Sequence, residues 1–161
     1  MIVVSDTGPL IALAKMNRLD LLTKIFGQVL IPPSVYRELF AKYGPESMRL
    51  DKSLPDLIHT VPMPVFSPTV KTATSKLDIG EQQAIALAFE KHALLIIDDR
   101  LGRAVARRLG LSITGTVGVL IMAKKKNLLP AVLPLLNKMR HQGYWLSDEI
   151  LAIAAKLSGE N

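Results

Sequence analysis

Cysteine is absent from this 161-residue chain. That removes disulfides and thiolate metal sites, and leaves oxygen or histidine nitrogen as the only metal donors. The three histidines, His59, His92 and His141, show no ligand spacing and are read as structural or surface residues. No apolar run approaches the roughly 20 residues of a membrane helix. The start MIVVSDTGPL lacks a basic stretch ahead of its apolar one, so no export signal is read there and a cytoplasmic location is expected. Also missing are a P-loop, a dinucleotide fingerprint, a Ser/His/Asp constellation and any internal repeat.

What is present is an apolar, basic chain. Hydrophobic residues make up 49%, which argues against disorder and for one domain spanning 1–161 with a substantial core. The net charge is +6 with a pI near 9.7. Basic surface favours polyanionic partners through counterion release, and otherwise serves solubility.

Short apolar runs alternate with helical patterns. Ile2–Val4 and Val29–Ile31 read as strands, and helices are expected over Leu10–Met16, Leu19–Phe26 and about 33–42. From Gly44 to Ser75 the pattern is broken by prolines at 45, 55, 62, 64 and 68, and only Leu57–Val61 hints at a strand. This is expected to be a variable insertion. Helices follow over Glu81–Lys91, Leu101–Leu109 and from Thr116 to about Lys126, with a strand at Leu111–Ile113. Two apolar helices, about Pro130–Gln142 and Ser147–Leu157, close the chain. The stretch Ala93–Ile97 runs without alternation between two helices and into Asp98-Asp99-Arg100, the mark of a strand buried on both faces of a parallel sheet. The fold class is therefore α/β, with a parallel sheet whose working site lies beyond the strands' carboxyl ends.

Carboxylates recur at such places. Asp6 ends the first strand, where it also suits an N-cap. Glu38 borders the apolar stripe of Val35 and Leu39. Glu81 shares a helix face with Ile85 and Ala88, and stands at capping-box spacing from Asp78. Two carboxylates about 4 Å apart repel by roughly 4 kcal/mol at an effective dielectric near 20. Protons or a hard cation must relieve that, and oxygen-only ligands suit Mg²⁺ or Mn²⁺. Thr116 begins a helix rich in Gly and Thr, as an N-cap or an anion site. Arg100, Arg103 and Arg107 fall at i, i+3, i+7, a solvated face or a phosphate track. On the same helix Leu101, Ala104, Val105 and Leu109 are expected to be buried.

Five blocks in order, IVVSDTGPLIALA (2–14), IPPSVYREL (31–39), LDIGEQQAIALA (77–88), LLIIDDR (94–100) and TGTVGVL (114–120), resemble the PIN domain, in the prokaryotic branch related to VapC-type toxins. LLNKMRHQGYWLSDEIL (135–151) resembles one subgroup of that family. The resemblance implies a three-layer domain with a small parallel sheet flanked by helices, and Mg²⁺- or Mn²⁺-dependent cleavage of RNA. Its four acidic ligands fall on Asp6, Glu38, Glu81 and Asp99, with Asp98 in support. Glu81 stands where many relatives have Asp. Thr7 and Thr116 match positions that assist water or phosphate, and Arg100 and Arg103 are candidates for the RNA track. A cognate antitoxin with an inserted basic side chain, and a homodimer permitted by the carboxyl-terminal helices, are further implied.

Other readings weigh less. Asp6-Thr7-Gly8 matches the aspartic-protease tripeptide, but a helical pattern follows at once. A dehalogenase-type phosphatase needs a second Asp where Gly8 stands. A phosphoacceptor domain carries its acid pair after the first strand, whereas here the pair comes late. A non-catalytic nucleic-acid-binding or regulatory module of the same fold remains the alternative.

Overall fold

The computed structural model describes residues 1–42 and 56–161. The apolar runs become strands β1 (Val3–Ser5), β2 (Val29–Ile31), β3 (Ile58–Thr60), β4 (Leu94–Ile96) and β5 (Ile113–Thr114). All pair in parallel, in the order β3-β2-β1-β4-β5. Val3, Val4, Leu95 and Ile96 are buried in the middle of this sheet, as apolar strands covered by helices must be.

Helices α1 (Thr7–Lys15), α2 (Asp20–Phe26), α3 (Pro33–Lys42), α4 (Pro68–Ala73), α5 (Ile79–Lys91), α6 (Arg100–Arg108), α7 (Thr116–Lys125), α8 (Leu133–His141) and α9 (Asp148–Ser158) complete the described elements. The chain moves outward from β1 to β2 and β3, then crosses back to β4 and β5 on the other side. Helix α5 makes that return, packing on β1 and β4 and beside α3, while α7 lies against α1, α2 and α9. The crevice between the carboxyl ends of β1 and β4 is thus where the strand order reverses, the place where open α/β sheets bind ligands. The Asp6 N–H donates to the Ile96 carbonyl at 2.9 Å, so the chain leaves β1 directly beside the end of β4.

Packing corrects several local expectations. Helix α1 begins at Thr7, ahead of Leu10, because Pro9 is tolerated in a first turn whose N–H groups lack helical partners. Strand β5 lies at Ile113–Thr114, since the Leu111 N–H is taken by the Ala106 carbonyl at the end of α6. Helix α6 buries Gly102, Val105 and Ala106, whereas Leu101 is 50% exposed and Ala104 is exposed. Gly102 faces inward, where a Cβ would stand 2.7 Å from Ile97 Cδ1. A glycine that must touch the sheet leaves no mark in a hydrophobic pattern. Of the proline-rich stretch, 44–55 falls outside the described residues, and the remainder supplies edge strand β3 and the short helix α4. Among the described residues no helix is long and apolar enough to cross a membrane.

The helix expected from Pro130 starts instead at Leu133, under a cap from the far end of the chain. Glu160 accepts from the Val132 N–H at 2.8 Å, the Leu133 N–H at 3.0 Å and Lys124 Nζ at 2.9 Å. Burial alone would raise this carboxyl, but those donors take it from 4.5 down to about 2. A depressed acid contributes stability above its unfolded pKa and loses it as pH falls through the folded one. Glu160→Ala is expected to cost about 1–3 kcal/mol at neutral pH. Thermal melts should show a melting temperature roughly 2–10 °C lower, with the gap to the native chain closing toward about pH 2.

Candidate functional site

Six of the chain's fourteen acidic residues, Asp6, Glu38, Asp78, Glu81, Asp98 and Asp99, line one pocket of about 210 Å³. Each arrives by a local rule. Asp6 follows β1 in extended conformation, at the N-cap position of α1, yet its side chain makes no capping bond. Its carboxylate is therefore left to the pocket. Asp99 follows β4 and does cap α6, Oδ2 accepting from the Gly102 N–H at 2.8 Å. Asp78 caps α5 through Oδ1, which accepts from the Glu81 N–H at 2.8 Å. Glu81 sits in the first turn of α5, and Glu38 on α3 beside the buried Leu39.

Three helix N-termini, those of α1, α5 and α6, thus carry acids into one crevice. Their dipoles and free N–H groups offset part of the negative charge. The offset is incomplete. Asp6 is only 7% exposed, and burial, with Asp78, Glu38 and Asp99 adding repulsion, pushes its carboxyl from 3.8 up to about 7 despite a hydrogen bond from the Thr7 backbone. Burial also lifts Glu81 from 4.5 to about 8, helped by Asp78, Asp99 and Asp6. Gly80 allows the close approach: a Cβ there would lie 2.9 Å from Glu38 Oε2, 3.5 Å from Asp78 Oδ1 and 3.9 Å from Asp6 Oδ1. Among the described residues, no three of these groups already stand as a ready-made metal cage. The donor set itself is all hard oxygen, the kind that suits a hard divalent cation.

The residues singled out from sequence separate into three groups. Asp6, Glu38, Glu81 and Asp99 share the pocket with Thr7, whose Oγ1 donates to Glu38 Oε2 at 3.0 Å. Asp98 also lines it, but its carboxylate is engaged elsewhere. It accepts from the Thr116 N–H at 2.7 Å, Thr116 Oγ1 at 2.6 Å and the Tyr144 hydroxyl at 2.7 Å. Thr116, matched from the sequence to a position that assists water or phosphate, is fully buried, and both its donors go to Asp98. It is not the N-cap either, since Gly115 holds that position. Arg100 and Arg103 lie outside the pocket, in an adjoining groove that shares Asp98 with it. Arg103 is half-buried, and its Nη1 donates to the Ile97 carbonyl at 2.8 Å, bracing the end of β4.

Two participants were not found from sequence. Asp78 reads only as a cap, although capping-box spacing, by placing both acids in one helical turn, was the available signal. Tyr144 gives no local signal at all, being 46 residues from the Asp98 it holds. Burial first, then the Asp98 charge, pushes its hydroxyl upward, so it stays a donor. The clamp on Asp98 also explains Gly115, where a Cβ would stand 2.6 Å from Asp98 Oδ1 and 2.9 Å from Arg103 Nη1. Gly115→Ala is expected to lower stability by about 1–3 kcal/mol, read as a lower denaturant midpoint at unchanged slope.

Comparison with solved structures finds likeness to VapBC2 from Rickettsia felis, bound to a DNA fragment from its promoter. The identity is 17%, the coverage 71% of this chain and 98% of that one, and the TM-score 0.49. No curated protein matches. The model of the PIN domain matches residues 2–160, the five-stranded parallel sheet flanked by helices agrees with it, and on that match over nearly its whole length the chain belongs to the PIN domain family.

Proposed function

We propose that this chain is a Mg²⁺- or Mn²⁺-dependent ribonuclease hydrolysing phosphodiester bonds at the acidic pocket. PIN domains are generally nucleases that use divalent metals. The observation that carries the reading is the gathering of six carboxylates at the switch point of a basic chain, with Asp6 and Glu81 driven toward neutrality by burial and mutual repulsion. Asp6 and Asp99 would be the principal ligands, with Glu38, Glu81 and the newly placed Asp78 binding a second ion or orienting water. A bound divalent ion supplies counter-charge for the scissile phosphate and activation of water. Thr7 fixes the Glu38 carboxylate, and Glu81, in the first turn of α5, would accept a proton from the attacking water once it is itself ionised. Asp98, bound by Thr116 and Tyr144, orients the loop that carries Asp99. A cognate antitoxin that masks the pocket with a basic side chain, and a homodimer, belong to the same proposal.

The test is incubation of purified chain with RNA in Mg²⁺, in Mn²⁺ and in EDTA. Cleavage is expected with either ion and none in chelator. A second reading, a nucleic-acid-binding module that does not cut, draws on the absence of a ready cation cage among the described residues. Retention of RNA without cleavage under all three conditions would select it.

A further inference from the structure

Beyond the acidic pocket, and sharing Asp98 with it, lies a groove of about 580 Å³ between α6 and α9. Arg100, Arg103 and Arg107 of α6 line it together with Trp145 and Ile153. Tyr144, which lines the groove, donates to Asp98, the residue common to both spaces, and Trp145 is the next residue along the chain. Trp145 is 78% exposed and Ile153 51%. Among the described residues, Arg100 and Arg107 form no ion pair.

Arginines and an exposed indole lining one groove, among apolar side chains, are what an unpaired polynucleotide strand requires: cations for the phosphates and a flat face for the bases. A duplex offers no free base faces to such a groove. We propose that this groove holds the unpaired RNA strand adjoining the scissile bond, with Trp145 as the stacking platform for a base and Arg100 and Arg107 on the phosphates. The proposal rests on the ribonuclease reading for the direction of the strand. Charge complementarity selects RNA over a second copy of this basic chain, whose own arginines would meet like charge.

Trp145 is the chain's single tryptophan, so its fluorescence reports on this one place. The chain is titrated in EDTA with a uridine oligonucleotide and with a duplex of the same length. Quenching of the indole by the single strand, and little by the duplex, is expected. Anisotropy of labelled single strand should show about tenfold or greater weakening for Trp145→Ala, with Trp145→Phe recovering most of the loss. Arg107→Ala should reduce the salt slope of binding by about 0.7. Single-strand binding without quenching, or with Trp145→Ala as tight as native, overturns the proposal. So does sedimentation showing that Trp145→Ala dissociates a native dimer without changing RNA affinity. Because all of these are read without metal, absence of cleavage would end the ribonuclease reading and leave the strand groove standing.

Discussion

Asp6→Asn is expected to abolish RNA cleavage, lowering the rate by about a thousandfold or more. The charge on a cleaving phosphate must be met inside the pocket, and a Lewis-acid ion contributes several kcal/mol there, at 1.36 kcal/mol per tenfold. Asparagine keeps the shape and one acceptor but not the charge that holds the ion. Its side chain is in the most buried position of the cluster, where water does not readily stand in for the lost anion. Asp99→Asn should behave alike, since the amide oxygen still caps the Gly102 N–H and the helix is kept. Asp78→Asn keeps its cap to Glu81 in the same way, and its more peripheral charge gives a smaller loss, about tenfold to a hundredfold. A loss of fold is distinguished from a loss of chemistry by the melting temperature. Without metal at about pH 8 the Asp6→Asn chain should be more stable than native, because it no longer buries a repelled carboxylate. Equal cleavage by the native chain and by the Asp6→Asn and Asp99→Asn variants would place the activity in a contaminant.

Stability of the metal-free protein should fall as pH rises from about 4 to about 8. The sign follows from the raised carboxyls. Asp6 and Glu81 hold protons in the folded chain up to about 7 and about 8, while in the unfolded chain they release them near 3.8 and 4.5. Between those values the unfolded state sheds protons the folded state keeps, so each step up in pH favours unfolding. For Asp6 alone the difference corresponds to a few kcal/mol, at about 1.4 kcal/mol per pH unit, and the drop in melting temperature should exceed roughly 5 °C. Added Mn²⁺ should reverse it, with a gain largest at the alkaline end where both groups are ionised, by the linkage of binding to stability. Melts at several pH values with and without Mn²⁺ measure this directly. A flat profile, or equal stabilisation at pH 5 and pH 8, would show that these acids do not hold the ion. The Asp6→Asn and Glu81→Gln chains should flatten the native profile in part.

Much of this site is local in origin, and so is legible along the chain. Asp6 and Asp98-Asp99 follow apolar runs that stand only as buried strands, and parallel strands carry their carboxyl-terminal residues to one edge of the sheet. Glu81 is placed by helical periodicity against Ile85 and Ala88. These are matters of nearest-neighbour sterics and the burial of apolar side chains, and they need no knowledge of what lies across the fold. The order β3-β2-β1-β4-β5 is different, because pairing of β1 with β4 joins residues about ninety positions apart. Only that pairing sets Asp6 beside Asp99, and only packing in the fold turns α6 so that Gly102 faces Ile97 and Leu101 faces solvent. The same holds for the Tyr144 and Thr116 clamp on Asp98 and for Glu160 over the start of α8. A hydrogen bond between distant residues leaves no periodic trace, since periodicity records which face of an element is dry and not what it meets there. Thus the amino-acid order alone determined the elements and most of the acids. Tertiary packing decided which acids stay free to act, because it alone brings, or withholds, the donors that engage a carboxylate.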